Sequence, residues 1–403
     1  LSRIADREAD DPSPIIDGLG LITPLGGNVQ STWNALLAGR SIDDHSPADF
    51  SPPAGRARVI ELAIAAARQA AEQAGLSAAD RAATALVIAT SKGPIEKWIE
   101  PPHGPGATEI RSARIDPSGL AEIAAHVAAD LNLGGARLTI CSACASGLHA
   151  LIRAAIMIRS GEARSVLVVA AESSLHPLFI GSFNRLGVLA AAGHGCRPFD
   201  VHRDGFLISE AAAAVHLRHP GDVSPTAPLI VRLGAMSMLA EGYHITSPDP
   251  SGQVLQAMIR QTLPAGGVDL IHAHATATKT NDPIELAAVE CCLLENQTRR
   301  RAHHLADQRA GGVPPTADIA TPNIYSHKGA LGHSLGAAGL SAVAINCMIH
   351  QSGKIPGNVR TTNPLPTQYS QIHNQPTERK VATSLTLAAG FGGPCAAIAM
   401  HTP

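Results

Sequence analysis

The chain of 403 residues carries 31 lysines and arginines against 33 aspartates and glutamates, a formal net charge of −2, and 45% hydrophobic residues. Near-balanced charge gives no indication of nucleic acid or a membrane surface as a bulk partner. The length and apolar content suffice for a large core, or for two similar half-size units in one body.

In chain order, residues 14–26 read as a strand and a Gly/Pro turn, and Ser31 caps a short helix over 32–38 that Gly39 ends. Residues 43–53 are loop, 58–74 a strongly periodic alanine-rich helix, and 84–89 a buried strand. Residues 92–114, rich in Pro, Gly and charge, read as a long surface excursion, and 117–131 as helix. The run 136–140 is a strand ending in the small-residue cluster Cys141-Ser-Ala-Cys-Ala-Ser-Gly147. An apolar helix follows and stops at Ser160-Gly161. Residues 165–172 form a central strand by their unbroken apolar run. The charged loop 197–206 leads into 207–217, read as a helical turn and a strand. Further strands are expected at 229–238, 269–274, 322–325, 380–387 and 395–400, with helices at 253–263, 282–294 and 332–350. Residues 297–315, with Arg299, Arg300 and Arg301, read as surface loop.

Alternating strands and helices define an α/β protein. The seven cysteines fit neither a disulfide framework nor a zinc site, so a reduced, cytoplasmic setting is expected. No run of about 18 apolar residues occurs, so no membrane span is expected, and the polar, acidic residues 1–11 show no signal-peptide pattern.

Three positions share one local design, a strand end followed by a Gly/Ala/Ser-rich helix start: Cys144, His274 and His333. Strand ends of open α/β sheets are where ligands bind. A thiol at a helix N-terminus faces the positive end of the helix dipole, which predicts a lowered pKa and a nucleophilic thiolate. A cysteine with two neutral imidazoles suits acyl chemistry: the sulfur takes an acyl group, and the N–H groups stabilise an oxyanion or an enolate. Lys328 adds positive charge, and Asp282 and Glu285 stand at a helix start where they can orient Lys328 or the loop. First-turn helix capping is the structural alternative for both acids.

Over residues 14–400 the sequence resembles the β-ketoacyl-[acyl-carrier-protein] synthases of the elongating Cys-His-His type. Ser142-Ala-Cys-Ala-Ser-Gly147 is similar to the family's nucleophile motif, Ala273-His-Ala-Thr-Ala-Thr278 with Asp282 and Glu285 to its first histidine motif, and Ser326-His-Lys-Gly-Ala-Leu-Gly-His333 to its lysine-and-histidine motif. Arg197-Pro-Phe-Asp200, Arg203-Asp-Gly-Phe206, His244-Ile-Thr-Ser-Pro248 and Gly390-Phe-Gly-Gly393 match as well. The resemblance implies a thiolase-like fold, two similar halves at 12–218 and 219–403 in an α-β-α-β-α layering. It implies decarboxylative Claisen condensation of an acyl thioester on Cys144 with malonyl-carrier protein, with His274 and His333 on the enolate, Phe391 and Gly390 as the gate of the acyl pocket, and no metal or organic cofactor. Acyl carrier protein is the implied partner, docking at Arg56 and Arg58, and the implied assembly is a homodimer, with a heterodimer as the other arrangement.

The chain departs from that pattern at Ala275, expected to crowd the substrate, at Leu331, and over Leu387–Cys395, and these departures point to a specialised fatty acid or polyketide pathway. A non-catalytic partner subunit similar to chain-length factors is the alternative, disfavoured by the intact Cys144, His274, Lys328 and His333. A thiolase-like degradative enzyme would need Cys395 as a second catalytic thiol. Cys141 is expected to serve packing.

Overall fold

The fold begins with strand β1 (Ile15–Ile22), buried along its whole length; a strand covered on both faces reads as a continuous apolar run. The structure, a computed structural model, describes residues 13–53, 55–99, 119–223, 231–309 and 321–402. After β1 come α1 (Arg58–Gln73), β2 (Ala85–Ala89), α2 (Ala121–Leu131), β3 (Arg137–Ile140), α3 (Ser146–Arg159), β4 (Ser165–Glu172), α4 (Pro177–Arg185) and β5 (Ala211–Arg218). The second half holds β6 (Val231–Ala240), α5 (Gln253–Thr262), β7 (Leu270–His272), α6 (Asn281–Arg309), β8 (Asn323–Tyr325), α7 (Ala338–Ser352), β9 (Thr383–Ala389) and β10 (Pro394–His401).

The strands run in the order β3-β2-β4-β5-β1-β6-β10-β9-β7-β8. Read inward from either end, both halves give one pattern. In the first, β2 pairs parallel with β3 and β4, and β5 pairs antiparallel with β4 and β1. In the second, β7 pairs parallel with β8 and β9, and β10 pairs antiparallel with β9 and β6. Among the described residues the two halves of the sheet join where Ile15 and Ile16 pair with Arg232 and Val231. The duplication that residue identity hides is therefore explicit in strand order and direction.

Helices α3 and α7 lie between the sheets, each touching strands of both, while α1 and α2 cover the outer face of the first sheet. Helices α5 and α6 cover the outer face of the second. This is the α-β-α-β-α arrangement. The central core joins Leu148, Leu151 and Ile152 of α3 to Leu340, Val343 and Ile345 of α7. Their close approach needs Gly147, where a Cβ would stand 2.7 Å from the Leu340 nitrogen. Among the described residues no helix is long and apolar enough to cross a membrane.

Several local expectations are corrected. The first short helix runs Val29–Leu37 and is capped by Asn28, whose side chain accepts the Ser31 N–H at 2.8 Å. Residues 207–210 form no helical turn before β5. Helix α4 was not anticipated; its signal is Pro177 in the first turn behind His176, whose ring nitrogen accepts the Leu178 N–H. The 297–315 loop is helix as far as Arg309, because α6 continues through good helix formers that are polar all round and give no apolar period. Its Arg299 pairs with Glu295 one turn back. Residues 1–11 and most of the 92–114 excursion lie outside the described residues.

Candidate active site

Cys144 stands in the turn between β3 and α3. The turn is tight: Ala143 takes φ +47°, and the Ser146 hydroxyl accepts the Ser142 N–H at 2.8 Å and donates to the Ala143 carbonyl at 2.6 Å. A non-glycine residue at positive φ costs roughly 1–2 kcal/mol, held here by side-chain bonds and packing. The loop after β9 closes over this turn. Gly390 permits the contact, since a Cβ there would lie 3.0 Å from the Cys144 nitrogen. The next residue, Phe391, directs its backbone N–H to the Cys144 sulfur.

The thiol does not match the sequence expectation. Burial pushes its pKa up to about 11, against the lowering effect of Lys92, Lys328 and the Phe391 N–H. At neutral pH the resting site therefore holds a protonated thiol, because desolvation in this small apolar cluster outweighs the nearby positive charge.

His274 follows β7 and is buried. His333 lies between β8 and α7, also buried; its backbone N–H donates to the Leu207 carbonyl at 2.7 Å. The imidazole centroids are 5.5 Å apart, nearly perpendicular, and Phe206 stands edge-on to His333 at 5.0 Å. Burial, then the Lys328 charge, holds both histidines well below the ordinary imidazole pKa. Both rings are neutral, each with one N–H to donate.

Lys328 is buried and donates its ammonium to the His274 carbonyl. Burial lowers its pKa while Glu285 opposes the fall. Glu285 accepts the N–H groups of His274 and Ala275, both at 2.7 Å. Asp282 accepts the Phe199 N–H at 2.8 Å. Both acids thus face inward onto named backbone groups and do more than cap α6.

Cys144, His274, His333, Gly390 and Phe391 line one cavity of about 840 Å³ including its open mouth, together with Phe183, Thr276 and Thr278. Cys395 lines it too, but its S–H points to the Leu239 carbonyl, and burial pushes its pKa up to about 11, as it does for Cys144. Ala275 does not line the cavity. Its methyl packs in the core of the second half, so the expected crowding of substrate does not arise. Cys141 is exposed, with its sulfur toward the Ser91 carbonyl, and is not a packing residue.

The structure does not bring Arg58 to the surface as a free charge. Its Nε donates to Glu210 at 2.7 Å, and its terminal nitrogens donate to the Phe50 and Ala48 carbonyls at 3.0 Å. The docking role expected of Arg58 is corrected on that ground. Arg56 is half-exposed and paired with Glu61.

Sequence reasoning missed Lys92, Phe183 and Glu172. Glu172 ends the apolar strand β4 fully buried, and an acid closing such a strand was the available signal. Its carboxylate accepts the N–H and hydroxyl of Ser91, the Ser174 hydroxyl and the Gly336 N–H, tying β2, β4 and the His333 loop together. Among the described residues no group of three or more His, Cys, Asp or Glu is placed to hold a metal ion.

A duplicated five-layer fold with a thiol and two imidazoles on one cavity defines a thiolase-like protein. The family model for the beta-ketoacyl synthase N-terminal domain matches residues 54–220, and that for the C-terminal domain matches residues 232–306. The chain belongs to the beta-ketoacyl synthase family. Among curated relatives, a 3-oxoacyl-[acyl-carrier-protein] synthase 2 of Coxiella burnetii is 27% identical over 420 residues, covering 94% of this chain and 96% of that protein. A putative mitochondrial 3-oxoacyl-[acyl-carrier-protein] synthase of Schizosaccharomyces pombe is 24% identical, with 94% and 96% covered. A type II PKS acyl-carrier protein in complex with its ketosynthase bound to the hexaketide superposes with a TM-score of 0.79 at 24% identity, covering 97% of this chain and 100% of that chain. A beta-ketoacyl synthase from Burkholderia phymatum gives a TM-score of 0.79 at 21% identity, with 97% and 100% covered. These two likenesses establish the fold.

Proposed function

We propose that the protein is a 3-oxoacyl-[acyl-carrier-protein] synthase in which Cys144 carries the growing chain. One observation supports this reading above the rest: Cys144, His274 and His333 face a single cavity, with both imidazoles held neutral by burial. The Cys144 sulfur attacks the acyl thioester of a carrier protein. The acyl–carrier bond breaks, and the thiol proton leaves with the carrier's sulfur. Malonyl-carrier protein then enters. Its C–CO2 bond breaks, CO2 leaves, and the enolate oxygen accepts N–H bonds from His274 and His333. Each such donor contributes about 3–4 kcal/mol to the barrier. The enolate carbon attacks the Cys144 thioester, a C–C bond forms, and the cysteine thiolate departs with the Phe391 N–H beside it.

In this reading residues 12–218 carry the nucleophile and 219–403 the histidines, Lys328 and Glu285 position the His274 loop, and Phe391 with Gly390 gates the acyl pocket. A homodimer acting on carrier-bound substrates in the cytoplasm is the assembly we propose. The departures at Leu331 and Leu387–Cys395 support a specialised fatty acid or polyketide pathway. The test is intact-protein mass after incubation with a panel of acyl-carrier proteins. A thioester adduct on the wild type that is absent from Cys144→Ala supports the synthase. No transfer from any competent carrier to the folded protein overturns it in favour of a non-catalytic partner subunit.

A further inference from the structure

Lys92 follows β2 at the rim of the site, and none of the sequence motifs includes it. Its position is built. The preceding residue, Ser91, is held by Glu172 through both its N–H (2.8 Å) and its hydroxyl (2.6 Å), and the Lys92 ammonium donates to the Ser91 oxygen at 3.0 Å. The same ammonium sits over the rings of Phe179 (4.9 Å) and Phe183 (5.7 Å) of α4. Phe183 in turn meets Phe206 at 5.8 Å and Phe391 at 6.3 Å. Phe183 and Phe206 pack with Cys144 in one cluster, and Phe206 stands against His333. Among the described residues no carboxylate pairs directly with Lys92.

We propose that Lys92 is a positioning residue of this active site: its ammonium, seated on the aromatic wall that also holds Cys144, stabilises the sulfur as thiolate. The inference rests on the reading of Cys144 as the nucleophile. Two cations bear on that sulfur, Lys92 and Lys328, and of the two Lys92 favours the thiolate more strongly. Glu172 opposes them. The other titratable groups lining the cavity are His274 and His333, both neutral, Cys395 and Glu241, whose pKa values burial raises, and His244. Lys328 is committed to the His274 carbonyl, on the side where the enolate forms. Lys92 approaches from the acyl-pocket side, through rings too apolar to screen it as water would. The division of labour is physical: one buried lysine holds the histidine loop, and the other serves the thiol.

The test is the rate of Cys144 carbamidomethylation by iodoacetamide between pH 7 and 9, read by tandem mass spectrometry of its peptide. All proteins carry Cys141→Ala, so that the exposed neighbouring thiol does not compete. Loss of one nearby charge that raises the thiol pKa by about one unit leaves tenfold less thiolate, partly offset by its greater nucleophilicity, so the rate falls about threefold. Lys92→Met is expected to react about threefold more slowly across this range, and Lys92→Arg, which keeps the charge, at the wild-type rate. Equal rates for wild type and Lys92→Met overturn the proposal. So does an equal fall in both variants, which would make the side chain's shape the cause. The probe needs no carrier protein and no turnover, so this result stands apart from the acylation test of the synthase reading.

Discussion

Glu285 holds Ala275 in a left-handed backbone conformation: the carboxylate accepts the Ala275 N–H at 2.7 Å, and φ at Ala275 is +32°. Its other oxygen takes the His274 N–H. The loop that presents the first imidazole is thus bent against the preference of its own residue and fixed by one buried acid.

Ala275→Gly tests the bend. Relief of strain worth roughly 1–2 kcal/mol is set against the extra unfolded-state entropy of glycine, about 0.4–1 kcal/mol, and the lost burial of the Ala275 methyl, about 0.8 kcal/mol. The variant is expected to lie within about 0.5 kcal/mol of the wild type in urea denaturation, where an unstrained alanine at this site would lose about 1–2 kcal/mol. Glu285→Gln turns one acceptor into a donor facing a backbone N–H, and is expected to lose about 1–3 kcal/mol. A stable Glu285→Gln protein would remove Glu285 as the clamp.

His274→Ala and His333→Ala should each lower the condensation kcat by about 10²–10³-fold, while Cys144 still accepts an acyl group. The pH dependence carries a second expectation. Burial depresses both imidazoles well below their ordinary value. Lowering the pH through 6.5 therefore leaves them neutral, and kcat should show no acid limb there. A limb near 6.5 in a kcat–pH profile would mean that at least one ring is solvated.

Much of this site was legible in the sequence because its parts are local. A nucleophile between a strand and a small-residue helix start, and histidines after strand ends, are patterns of neighbouring residues, and the structure places Cys144, His274 and His333 on one cavity. Properties set by distant partners were not legible. The Cys144 pKa is decided by burial among residues from α4 and the 188–208 segment, so the helix-terminus argument gave the wrong direction. The role of Arg58 depends on Glu210, 152 positions away. The duplication lay in strand order, which residue identity does not record. Helix α6 outran its apolar period, so its polar second half looked like loop.

Arg58→Glu is the substitution that separates packing from docking. It removes three donors from internal acceptors and sets a carboxylate against Glu210. Breaking a buried pair costs about 3–5 kcal/mol. Arg58 is 25% exposed, so a loss of about 2–3 kcal/mol is expected once solvent screening is allowed for. The half-exposed Arg56 is the residue with which to probe carrier docking: Arg56→Ala should raise the KM for carrier-bound substrate with kcat unchanged. If Arg58→Glu melts with the wild type, the internal contacts are not what holds the 48–58 segment.

Asp282 gives the stability of the protein a specific pH dependence. Burial raises its pKa to about 7 from an ordinary 3.8, against the lowering effect of the Phe199 N–H. Between those values the folded protein binds a proton that the unfolded chain has released. Stability from this group is therefore complete below about pH 4 and is lost as the pH rises through 7. Asp282→Asn carries no titration and keeps an oxygen for the Phe199 N–H. The stability difference, wild type minus Asp282→Asn, is expected to fall between pH 5 and about 7 and to level off above it in urea denaturation. Glu285, also raised by burial, is present in both proteins and largely cancels in the difference. Parallel curves over this range would show that Asp282 is ionised throughout, so that the Phe199 N–H outweighs its burial.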